Sequence, residues 1–159
     1  MIQPIITSIP AKKLIGLQKT MSLVNFNIGE LWGAFGPRRV EIKNNVNAEL
    51  VSLAVYPSDY FESFSPSRNF QRWALVEVTD FNCIPDQMES FDLPSGLYAV
   101  FHYQGLNTDS SIFQYIYNVW LPQSEYRLDD RPHFEILGEK YKNNDPLSEE
   151  DIWIPIRKK

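Results

Sequence analysis

The sequence predicts an α+β fold: a tandem strand-helix-strand-strand repeat with pseudo-two-fold symmetry, whose antiparallel sheet carries helices and whose dyad creates a central groove. Three observations lead there. The order strand, helix, strand, strand runs through residues 1–80 and returns through about 95–159. Each copy holds one stripe of apolar residues at helical spacing. Between them lies a linker whose turn residues are Asn82, Pro85, Asp86 and Pro94. A period of about eighty residues is an internal repeat, and 159 residues suit a single domain covering 1–159.

The elements follow in order. Residues 5–21 read as extended, with a bend at Pro10. Asn27 stands as an N-cap before Ile28, Leu31, Trp32 and Phe35, spaced i, i+3, i+4 and i+7, and Pro37 ends or bends that helix. Residues 50–56 and 70–79 are strands on either side of a Pro- and Ser-rich loop. In the second copy, residues 97–103 form a strand closed by Gly105. Ile112, Tyr115, Ile116, Val119 and Trp120 mark a helix that stops before Pro122. Residues 134–141 and 152–156 supply the last strands, joined by a polar loop over 142–150.

Alternation assigns faces. Phe134, Ile136, Ile152, Ile154 and Ile156 are expected to face the core, with Glu135 and Trp153 on the opposite parity. In the first copy Val51, Leu53 and Val55 are grouped with Ala74, Val76 and Val78 under the helix, leaving Tyr56 and Trp73 opposite.

Charge and composition narrow the function. Hydrophobic residues make up 43% and charged residues 22%, which describes a globular chain rather than a disordered one. The net charge is −5 and the only basic run is Arg157-Lys158-Lys159, so direct binding to nucleic acid is not expected. No apolar run approaches the roughly 18 residues of a membrane span, and the N-terminus lacks the pattern of an export signal. The lone Cys83, read as a buried or half-buried thiol, fits a reducing cytoplasm.

Glu135 is the residue most in need of explanation. A carboxylate on the apolar strand Phe134-Glu135-Ile136-Leu137 costs several kcal/mol to bury unpartnered. Aromatic faces hold a cation with roughly 0.5–2 kcal/mol per contact, so a carboxylate among rings suits a lipophilic cation. The alternative is that Glu135 pairs internally with an Arg or Lys, such as Arg131 or Lys140, while the aromatics only fill space.

Several stretches resemble the GyrI-like, or AraC-type effector-binding, domain family. They are LWGAF (31–35) with PRR behind it, LAVY ending at Tyr56, WALVEV, LPSGLYAVFHYQG (93–105), YIYNVWLPQS, RPHFEILGEKY and the terminal EDIWIPI. The resemblance implies a small-molecule pocket with Glu135 at its floor and Tyr56, Tyr103, Trp120, Trp153 and Trp73 as walls. Leu137 stands where many relatives have Tyr, which favours an apolar wall. No helix-turn-helix precedes residue 5, so the chain is similar to stand-alone members that bind or sequester ligands, report to a protein partner, or antagonise a target such as gyrase. An enzymatic alternative, similar to relatives that hydrolyse cyclopropane-bearing electrophiles, would use Glu135 with Tyr98 or Tyr103.

Other constellations point elsewhere or nowhere. His102 and His133 lack a third metal ligand, and no cofactor or metal is expected. Ser95 and Ser124 lack a nucleophile elbow, and the glycines form no phosphate-binding fingerprint. The run Ser148-Glu149-Glu150-Asp151 is read as a solvated loop.

Overall fold

The computed structural model describes residues 2–159. Nine strands form, β1 (Ile5–Ile9), β2 (Lys12–Met21), β3 (Leu50–Val55), β4 (Phe70–Val78), β5 (Glu89–Leu93), β6 (Gly96–Gln104), β7 (Tyr126–Leu128), β8 (His133–Leu137) and β9 (Glu149–Lys158). They are assembled antiparallel in the order β1-β6-β9-β8-β3-β4-β2-β5, with β7 beside β9. The two repeats meet where β3 pairs with β8.

Each repeat is closed by a strand that belongs in sequence to its neighbour. β1 and β2 are the two arms of the segment bent at Pro10, yet β1 pairs with β6 of the second repeat. β5 lies within the stretch read from sequence as a linker, and it pairs with β2 of the first. The linker therefore contributes a strand. Its alternating Glu-Ser-Phe-Asp-Leu sends Phe91 and Leu93 inward, a short signal that the neighbouring turn residues obscure.

Helix α1 (Ile28–Phe35) begins after Asn27, whose side chain makes no capping bond, and tightens at Gly36-Pro37 into a 3-10 turn over Gly36–Glu41. Proline has no N–H to continue the α pattern. Leu31 and Phe35 bury against Ile15, Ala74, Val76 and Val78. The second helix starts as α2 (Ser111–Tyr115), widens into a π-helical stretch at Ile116–Trp120 and ends in a turn, α3 (Leu121–Gln123). It does not stop before Pro122. Trp120 and Leu121 keep helical backbone angles, and the proline falls in the last turn of the continuous helix, which ends at Gln123. Ile112 and Ile116 pack on Ala99, Phe101, Tyr103, Ile152, Ile154 and Ile156.

Register corrects the face assignment. Residues directly opposite in a sheet share a face. Glu135 opposes Ser52 and Ile152, whereas Phe134 opposes Leu53 and Trp153. Glu135 therefore shares the helix-covered face with the isoleucines of β9, and Trp153 lies on the other side with Phe134. Val51 and Leu53 also leave the helix side, because Val51 opposes Leu75 and Leu53 opposes Trp73. On that second face Leu14 and Leu93, from the adjacent strands β2 and β5, and Tyr98, from β6 towards the other end of the sheet order, join one core with Trp73 and Phe134. The sheet curls around this cluster, so both of its faces are interior.

Three further expectations change. β8 ends at Leu137 rather than continuing to Tyr141. The acidic run is not a solvated loop: Glu149, Glu150 and Asp151 open β9, and Glu150 is buried, as is Ser148 just before the strand. Cys83 is exposed.

Candidate functional site

The seam lies under neither helix. α1 covers the β2–β4 side and the second helix covers β6 and β9, leaving Ser52, Ala54, His133 and Glu135 facing the gap between them. Glu135 is half-buried and makes no hydrogen bond or ion pair among the described residues. Burial pushes its pKa up, and the Arg72 guanidinium opposes that push. The internal partners weighed from the sequence are engaged elsewhere: Arg131 binds Asp129, and Lys140 approaches Glu149.

Arg72 is placed on this face by its pairing with Ala54. One terminal nitrogen donates to Ser52 Oγ at 2.6 Å, while Nε is buried without a partner. The guanidinium thus lies close enough to influence Glu135 without forming a salt bridge to it.

Rings enclose one end of the seam. Tyr56 continues the β3 parity and meets His133 edge-on at 5.0 Å and Tyr60 at 4.7 Å. Phe61, from the loop after β3, stacks on His133 at 5.4 Å and on Tyr117 at 5.2 Å. Tyr117 comes from the π-helical stretch, and its hydroxyl is hydrogen-bonded to His133 Nδ1 at 2.9 Å. Burial holds His133 neutral, with its pKa lowered to about 3. It also raises Tyr56 to about 12 and Tyr117 well above its ordinary value, with Glu135 adding to both. The phenols remain protonated hydrogen-bond groups.

At the opposite end, a cavity of about 520 Å³ opens beside Leu50, Leu137, Gly138 and Tyr141. Its lining also takes in the polar Arg39, Asn47, Glu49 and Glu139. Tyr141 feels both Glu150 and Glu135, and with burial they raise its pKa to about 12. Glu150, only 8% exposed, is pushed up to about 8 by burial first and by Glu135 second. Among the described residues no group of three or more His, Cys, Asp or Glu is arranged to hold a metal.

The other residues singled out from sequence are dispersed. Tyr103 shares the helix face and opposes Glu150, but its hydroxyl donates to the Leu106 carbonyl at 2.9 Å. Trp120 packs edge-on to Phe101 and stacks on Tyr126, inside the second helix core. Trp153 stacks on Phe134 at 5.3 Å, and Trp73 meets Phe91 at 5.0 Å, both on the far face. Tyr98 is there too, donating to the Pro132 carbonyl beneath the Arg131 guanidinium. Tyr98 therefore lies on the opposite face from Glu135, whereas Tyr103 shares its face with its hydroxyl engaged by the Leu106 carbonyl. His102 lies exposed between Asp151 and Glu149, each 2.8 Å away.

Sequence reasoning passed over Arg72, Ser52, Phe61, Tyr117 and Glu150. Two of them carried a signal: Arg72 alternates with Ala74, Val76 and Val78, and Glu150 with Ile152, Ile154 and Ile156. A charge in phase with a helix-covered face marks a buried polar site.

Comparison with known proteins agrees with this architecture. Residues 2–157 match the family described as the GyrI-like small molecule binding domain. Over 149 residues the chain is 30% identical to the transcriptional regulator BrlR of Pseudomonas aeruginosa, covering 92% of this chain and 53% of the regulator. It thus spans about half the length of that relative. Among solved structures, the EcmrR C-terminal domain aligns with a TM-score of 0.74 at 15% identity, covering 100% of this chain and 99% of that one. SAV2435 bound to tetraphenylphosphonium aligns at 0.69 with 19% identity, covering 98% and 94%. No helix among the described residues is long and apolar enough to cross a membrane. The chain belongs to the family of GyrI-like small molecule binding domains.

Proposed function

We propose that this chain binds lipophilic organic cations over Glu135, in the gap between its two helices, and acts as a ligand sensor or sequestering protein linked to transcriptional control or drug resistance. The observation that carries the reading is a half-buried carboxylate, without an ion-pair partner among the described residues, beside a cluster that includes Tyr56, Phe61 and Tyr117. A unit positive charge about 5 Å from Glu135 gains on the order of 3 kcal/mol at an effective dielectric near 20. Each ring contact adds roughly 0.5–2 kcal/mol. Tyr103 and Trp120 brace the second helix on its core side, while Trp73 and Trp153 support the sheet from behind. The tetraphenylphosphonium held by a protein of this fold, and the regulator that shares 30% of its residues, lend support. A reducing cytoplasm is the setting in this reading, and the lone exposed Cys83 suits it.

Titration with tetraphenylphosphonium tests the reading. Saturable binding is expected to weaken tenfold or more in Glu135→Gln, while a neutral dye of similar size binds both proteins alike. Equal affinity of the cation for both proteins refutes the role of the charge.

A further inference from the structure

We propose that Glu150 is a second acidic group of the same pocket, and that a single positive charge enters in exchange for a proton held between Glu150 and Glu135. The proposal rests on the cation-binding reading above and adds to it the charge class of the guest.

Glu150 lies two residues before Ile152, the residue opposite Glu135 in β9, so the two glutamates share a face. Diagonal neighbours of this kind are about 7–8 Å apart along adjacent strands. The Glu150 side chain is 8% exposed, and it has no hydrogen-bond or ion-pair partner among the described residues. Burial of this degree, with no partner for the carboxyl group, raises the cost of its charged form.

The groups around it define the balance. Glu135 faces it from β8, Tyr103 from β6, Tyr141 from the loop between β8 and β9, and Arg72 acts on it from β4. Asp151, next in its own strand, points to the opposite face beside His102. Tyr103 and Tyr141 have raised pKa values and are uncharged near neutrality. Two carboxyl groups thus share one guanidinium. Like charges in a poorly hydrated site resist ionising together, and both glutamates are raised, Glu150 to about 8. The empty pocket near neutrality is balanced by Arg72, one carboxylate and one protonated carboxyl.

A guest with one fixed positive charge restores that balance only if the proton leaves. The O–H bond of the carboxyl breaks, the proton passes to solvent, and two carboxylates then face Arg72 and the guest. A neutral guest leaves the proton in place, and a dication would leave an excess positive charge. The preferred class is therefore a bulky, apolar monocation, whose affinity rises with pH up to about 8 and levels off above it.

Tetraphenylphosphonium, which carries no titratable proton, is the suitable probe. Its heat of binding at pH 7, measured in phosphate and in Tris, gives the number of protons released. Close to one per cation is expected for the wild type and close to none for Glu150→Gln. Between pH 6 and 8 the wild-type affinity should rise towards tenfold per pH unit, and that of the variant should stay nearly flat. A carbon-13 titration of the glutamate carboxyls without ligand should show one resonance with a midpoint near 8 that is missing from Glu150→Gln. Saturable binding without proton exchange overturns the proposal and leaves the cation reading standing. All carboxyl midpoints below 6 overturn it as well. Failure of the cation to bind at all sinks the reading and the proposal together.

Discussion

Replacing Glu150 by Gln should stabilise the ligand-free protein, by an amount that grows with pH. The side chain is nearly isosteric, it has no polar partner to lose, and a neutral amide does not resist burial as a carboxylate does. A carboxyl whose pKa is 4.5 in the unfolded chain and about 8 in the folded one binds its proton more tightly when folded. Its contribution to stability is therefore fully present below pH 4.5, falls as pH rises from 4.5 to 8, and is constant above. The slope is about 1.4 kcal/mol per pH unit, so the burden reaches about 3 kcal/mol at pH 7. Relaxation and water entry would reduce that to about 2 kcal/mol, or roughly 4–8 °C in Tm for a domain of this size. Urea unfolding of wild type and Glu150→Gln at half-unit steps from pH 4.5 to 8.5 measures the difference. The two curves should coincide near pH 4.5 and separate progressively, the variant being the more stable. A separation that does not change with pH, or a variant less stable at pH 7, refutes both the burial and the protonation state assigned to Glu150.

Two further substitutions test the frame of the site. Tyr117→Phe removes the hydroxyl bound to His133 and leaves the buried ring nitrogen unsatisfied; a loss of about 1–2 kcal/mol is expected, read as a lower urea midpoint with unchanged slope. Gly16→Ala places a methyl 1.8 Å from the Ala74 carbonyl oxygen in the adjacent strand. The neighbouring backbone has to move, so a loss of about 2–4 kcal/mol is expected at Gly16, whereas Gly29→Ala, with open space around it, should be neutral or mildly stabilising in the same thermal melt.

Much of the fold was legible because its signals are local. Ile28, Leu31, Trp32 and Phe35 announce α1 by spacing alone, and the return of the same element order after Pro94 announces the duplication. Glu135 stood out because a carboxylate on an apolar strand violates the pattern around it. What failed was whatever depends on register. Parity within β8 separates Glu135 from Phe134, and parity within β9 separates Trp153 from Ile152, but neither says which pairs face each other. A one-residue difference in pairing exchanges the two faces, and it moved Trp153 away from Glu135. The usual guide, one apolar face and one polar, was weakened because the curled sheet buries both. Glu150 was hidden by its neighbours: Glu149 and Asp151 made it look like part of a solvated acidic run. Phe61 comes from a loop, where no periodicity exists to place it.

The exchanged strands β1 and β5 bear on how a guest is admitted. Each repeat is laced to the other at its outer edge as well as along the central seam. Halves tied at three places cannot swing apart like the jaws of a two-lobed receptor. A guest at the proposed site is to be met instead by rotation of side chains such as Phe61 and Tyr141, while the β-scaffold beneath keeps its form.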